Sequence, residues 1–132
     1  MRVVFTVLAF ILFAGVWTAA EAQSAQRVAV KINHESAVRR TGLKIKFIDL
    51  VEDSRCPKDV ECVWAGNAKI KVRVSKNGRS KVIELNSNSK TADNTFAGYE
   101  LTLTRLTPER HSNVKINGKE YVAEIKVERS KK

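Results

Sequence analysis

Behind an apolar N-terminal segment, apolar and polar residues alternate along the chain with a period of two, the period of a half-buried β-strand. The run 27–32, RVAVKI, puts Val28, Val30 and Ile32 on one face. In 43–47, LKIKF, Leu43, Ile45 and Phe47 point inward and Lys44 and Lys46 outward. The clearest case is 68–74, AKIKVRV, with Ala68, Ile70, Val72 and Val74 set against Lys69, Lys71 and Arg73. Further runs are 81–85, 99–106 and 121–127; the phase of the fifth slips before Leu106, which predicts a bulge. No stretch carries a helical stripe of useful length.

The punctuation supports the same reading. Asn77-Gly78 separates two alternating runs and predicts a type I′ hairpin, whose two central residues both need positive φ. Asn117-Gly118 predicts a second hairpin, from VKI into KEYV. The polar stretch 86–95, NSNSKTADNT, has no periodicity and reads as a long loop, the first candidate for mobility. Six or seven short strands spaced by about ten residues predict an all-β domain. Of the two forms that pattern describes, a sandwich or a small open barrel, a β-sandwich of immunoglobulin-like size is the expectation.

The N-terminus bears on compartment. One basic residue, an apolar run at 3–17 and the small-x-small triplet Ala20-Glu21-Ala22 make a secretory leader, cleaved after Ala22. The run is short for a membrane span and lacks a stop-transfer flank. The expected domains are therefore a signal peptide at 1–22 and a β-sandwich at 23–132, exported to the periplasm or secreted. Of the 132 residues, 110 remain after cleavage, one domain's worth.

The net charge of +10 survives cleavage, because the leader loses one base, Arg2, and one acid, Glu21. It is unevenly spread. Residues 49–61 hold Asp49, Glu52, Asp53, Asp59 and Glu61 against only Arg55 and Lys58. A basic body suits polyanionic envelope components, a polymer or a lipid surface, with Lys44, Lys46, Lys69, Lys71 and Arg73 as candidate contacts. The acidic stretch should stand away from such a ligand. The plainer reading is that excess lysine solubilises a β protein and blunts its sheet edges. Nothing points to specific nucleic-acid recognition, and the expected state is a monomer.

The stretch 52–66, EDSRCPKDVECVWAG, carries the least ordinary chemistry. In an exported chain its two cysteines, Cys56 and Cys62, should pair with each other. That bridge closes a seven-residue ring worth about 2.4 kcal/mol by chain entropy. Trp64 can then lie over the disulfide or cap the sandwich end, and Gly66 permits a tight turn or close backbone approach. A redox dithiol would use a closer spacing at a helix start. Zinc would need both cysteines with His34 and His111, two histidines in separate polar turns. The acids of 49–61 lack the oxygen spacing and turn glycine of a calcium loop, and Glu52 or Asp53 has an ordinary partner in Arg55. No metal, cofactor or catalytic motif is called for, and a hydrolase built on Asp53-Ser54-Arg55 would need a histidine brought in from elsewhere.

The segment EDSRCPKDVECVWAG, with TGLKIKF before it and GYELTLTRLTPE after, resembles a group of small exported bacterial proteins of unknown function that share an Asp-Ser-Arg-Cys-Pro…Cys-x-Trp-Ala-Gly signature. The resemblance covers most of 27–109 and implies that 53–66 matters to the fold or to a shared site. It supplies no activity. The expectation is a non-enzymatic binding module with Asp53, Arg55 and Trp64 as contact residues of the stapled loop 54–66; the alternatives are a structural accessory domain without a ligand, or the hydrolase. Exposure of Trp64 separates them: a buried ring makes the loop a staple, an exposed one with apolar neighbours a contact site.

Overall fold

The computed structural model describes residues 24–88 and 93–131. Among them there is no helix; eight strands form two antiparallel four-stranded sheets. They are β1 (Gln26–Lys31), β2 (Glu35–Ala37), β3 (Lys44–Asp53), β4 (Ala68–Lys76), β5 (Arg79–Asn86), β6 (Thr95–Phe96), β7 (Tyr99–Thr107) and β8 (Val122–Arg129). One sheet runs β2-β3-β4-β5, an unbroken meander, and the other β1-β8-β7-β6. The sandwich expected from alternation is the fold found. The leader at 1–22 and the middle of the polar 86–95 stretch lie outside the described residues.

The core lies between the sheets and is made by the residues that the period of two placed inward. Val30, Ile45, Phe47, Ile70, Val72, Val74, Leu101, Ala123 and Ile125 are fully buried. One flank is tied where β1 leaves its sheet: Ile32 bridges Phe47 of β3, and the Asn33 amide donates to the Phe47 carbonyl at 2.8 Å. The Asn77-Gly78 hairpin forms as expected, with φ of 50° and 75° and Lys76 paired to Arg79.

Two elements depart from the reading of the sequence. The strand begun by LKIKF does not stop at Phe47 but runs to Asp53, through two register shifts against β4, one between Phe47 and Asp49 and one between Leu50 and Glu52. Each shift adds a residue on β3 alone, so Leu50 and Asp53 still pair with the inward Ile70 and Ala68. Alternation is lost in the letters and kept in space. Asn117-Gly118 makes a turn, in which the Asn117 carbonyl and side-chain oxygen accept from Glu120 and Lys119, but 114–116 is not a strand. Instead 108–121 is a long connection across the end of the sandwich, and its one pairing is a His111–Val114 bridge. The slip in β7 is real: register shifts between Leu103 and Arg105.

Candidate functional site

The foot of loop 54–66 is fixed by a polar clamp that spans both sheets. Because β3 delivers Asp53 facing inward, its side chain is only 8 % exposed and meets Arg55, itself 18 % exposed. Arg55 Nε and Nη2 donate to the two Asp53 carboxylate oxygens at 2.7 and 2.8 Å, a bidentate pair. The same guanidinium donates to the carbonyls of Leu106 and, at 2.9 Å, Pro108, so it holds the end of β7 as well. Tyr121, the residue before β8, donates its hydroxyl to Asp53 at 3.0 Å. Burial works to raise the Asp53 pKa, but hydrogen bonds from Arg55 and Tyr121 and the Arg55 charge outweigh it and hold the carboxyl below the usual range. The Tyr121 hydroxyl is pushed up, by burial first and by Asp53 second.

The rest of the foot is backbone carpentry. Ser54 N–H donates to the Asn67 carbonyl at 2.8 Å, and the Ser54 hydroxyl donates to Glu52 while accepting from the Asn67 amide. At Gly66, φ is 71°, and a Cβ there would stand 1.8 Å from the Ser54 carbonyl oxygen, so the two arms of the loop cross where only glycine fits. Cys56 and Cys62 are bonded to each other. That engages both sulfurs and removes them as zinc ligands or free thiols. Asp59 accepts from the Ser112 amide at 2.8 Å and from its hydroxyl, and the Lys58 amide donates to the Arg110 carbonyl. The stapled loop is thereby joined to the 108–121 connection.

The tip is the opposite. Trp64 is 82 % exposed and Val63 92 %. Trp64 does not cap the sandwich end, because the Gly66 crossing and the disulfide turn 63–64 away from the core. The other large exposed apolar residues among those described include Val60 and Val51 near the same end, and Val114 on the adjoining connection; Val82, in the middle of β5, stands apart.

Between loop and β7 lies an open groove of about 440 Å³. It is lined by the small and apolar Cys56, Ala65, Ala68 and Leu106, by the charged Arg55, Lys58, Arg105, Glu109 and Arg110, and by Ser87 and Thr104. Glu109 is reached by Lys58 at 3.5 Å and Arg105 at 3.2 Å. Arg110 donates one guanidinium hydrogen to the Arg55 carbonyl at 2.9 Å.

The candidate polyanion residues do share a face. Lys44 and Lys46 on β3 and Lys69, Lys71 and Arg73 on β4 all leave the same side of one sheet, and Lys46 sits opposite Arg73. The acids do not stand away from it, however. Asp49 is paired with Lys71 and Glu52 with Lys69, because β3 runs on past Phe47. Glu84 on β5 reaches Lys69 at 3.5 Å, and Glu35 reaches Lys44 at 4.0 Å. Sequence reasoning also missed Tyr121, Arg105, Glu109 and Arg110. Only proximity in the fold assembles them with loop 54–66, and no local pattern announces it. The chain matches no family model, and no similar sequence is found among curated proteins nor any similar fold among solved structures.

Proposed function

We propose that the protein is an exported, non-enzymatic binding module that presents the tip of loop 54–66 to a concave apolar pocket on a protein partner. One observation carries the reading: Val63 and Trp64 are 92 % and 82 % exposed on a loop whose foot is locked. Exposed tryptophan is costly to leave in water and is enriched at the centres of interfaces. Holding it on a rigid support lowers the ordering cost of binding. A convex, stapled tip complements a cleft, as long antibody loops do. The disulfide and the leader-like segment 1–22 support export.

The hydrolase alternative called for a histidine beside Ser54; the Ser54 hydroxyl instead donates to Glu52 and accepts from the Asn67 amide, and Asp53 is engaged by Arg55 and Tyr121. Binding of an anionic polymer or lipid surface stays as a second reading, favoured by Lys44, Lys46 and Arg73, which cluster beyond the β3 acids with Glu35 on β2 as their neighbouring acid.

The test is a photo-crosslinking residue placed at position 64, with position 46 as the control, in the exported protein. A single protein adduct from position 64, lost on Val63→Ser, is the expected result. Equal adducts from both positions, or adducts from position 46 alone, would show that the tip is not the contact.

A further inference from the structure

We infer that the groove at the foot of the loop is a carboxylate site, built to take an acidic peptide segment. This rests on the proposed binding function, since the segment would belong to the partner that receives the tip, but its chemistry is independent of Trp64. Among the described residues, four cations line the groove against one lining acid, Glu109. Arg55 is matched by Asp53, Lys58 and Arg105 share Glu109, and Glu124 lies opposite Arg105 on β8, so the described residues at the groove still carry an excess of positive charge.

The geometry suits a peptide better than other anions. The side chains of Lys58 and Arg105 are about three-fifths exposed, so their heads reach the mouth of the groove, while Arg110 is oriented by its bond to the Arg55 carbonyl. Between the charged heads the lining includes Ala65, Ala68 and Leu106, a surface for the methylenes of glutamate or for a peptide backbone turn. Among the described residues, no aromatic side chain lines it to stack a base or a sugar ring. A groove of about 440 Å³ is the size of a small-ligand or short-peptide site. Glu109 occupies the place of an incoming carboxylate, between Lys58 and Arg105, and would be exchanged on binding.

The experiment titrates the isotope-labelled chain from residue 23 with hexaglutamate amide at low ionic strength, followed by amide chemical shifts. Shifts should centre on Ala65, Ala68, Ser87 and Thr104. Lys58→Gln with Arg105→Gln, both changes at exposed heads, should weaken binding about tenfold or more, the loss of one charge-assisted hydrogen bond or more. Glu109→Gln should strengthen it, and Trp64→Ala should leave it unchanged. A neutral hexapeptide with a free C-terminus separates a terminal carboxylate from side-chain ones; binding by either supports the site. Shifts spread over Lys44, Lys46 and Arg73, or equal affinity in the double variant, would reduce the groove to diffuse attraction and overturn it. So would tight binding of inorganic polyphosphate when both peptides fail. Loss of crosslinking at position 64 with hexaglutamate binding intact would sink the tip and spare the groove.

Discussion

The two ends of one loop obey opposite rules. At its foot, within 53–56 and 65–67, nearly every polar group has a partner, and glycine is demanded by a backbone crossing. Ten residues further along, at 63–64, two large apolar side chains stand in solvent with nothing over them. A staple would need only the first. A floppy surface loop would need neither. The combination teaches that the clamp positions something other than itself.

If that contrast is right, changes at the foot should unfold and changes at the tip should not. The largest effect should come from Gly66→Ala. Its Cβ would collide with backbone atoms of Ser54 and Arg55, which cannot swing aside, at a φ that L-residues seldom adopt. A loss of about 4 kcal/mol or more in urea unfolding is expected, in the range reserved for a named structural collision. A loss under about 1 kcal/mol would mean that the arms of the loop do not cross as described.

Arg55→Ala should follow, at about 3 kcal/mol, because it strands a nearly buried Asp53 and frees the carbonyls of Leu106 and Pro108. Arg55→Lys should recover only part of this, since an ammonium cannot make the bidentate fork. The clamp also sets a pH dependence. Asp53 is held below its ordinary pKa, so the stability it lends is complete above the unfolded value of about 3.9 and is lost as pH falls through the lower folded value. Tyr121 is raised, so its share is complete below about pH 10 and is lost as pH climbs through the folded value. Thermal melting against pH should show both limbs, and Asp53→Asn should flatten the acid one.

Reduction of Cys56–Cys62 should cost less, about 2.4 kcal/mol, and lower the melting temperature by several degrees. Two alkylatable thiols in freshly exported protein would refute the bridge. The smallest effect belongs to the tip. Trp64→Ala should change stability by under about 0.5 kcal/mol, because an exposed side chain loses little contact on truncation. In the chain from residue 23, Trp64 is the remaining tryptophan of the two in the sequence, so its fluorescence reports the tip alone. Emission should sit at the wavelength of a solvated indole and shift to the blue when a partner pocket closes over it. A blue-shifted free protein would put the ring in the core and end the comparison.

Local pattern alone determined the all-β class, the inward residues of the regular strands, the Asn77-Gly78 turn and the bulge in β7. Each rests on neighbours in sequence: alternate side chains take opposite faces, and a turn dipeptide needs only its own two dihedrals. The disulfide was legible for a similar reason, since two cysteines in an exported chain have each other as the available partner. Tertiary structure decided the rest. That β3 continues to Asp53 is hidden, because two bulges scramble the alternation in IDLVED while the pairing with β4 preserves it in space. That the acids of 49–52 lie among the lysines of β4 follows from the same register. Asp53, Arg55 and Tyr121 meet because the closing strand of one sheet starts beside the end of β3 in the other, across 68 residues of chain. The exposure of Trp64 is a tertiary outcome too. The sequence leaves the ring beside the disulfide open to either side, and the Gly66 crossing, a close contact between backbones no pattern of side chains encodes, turns it outward.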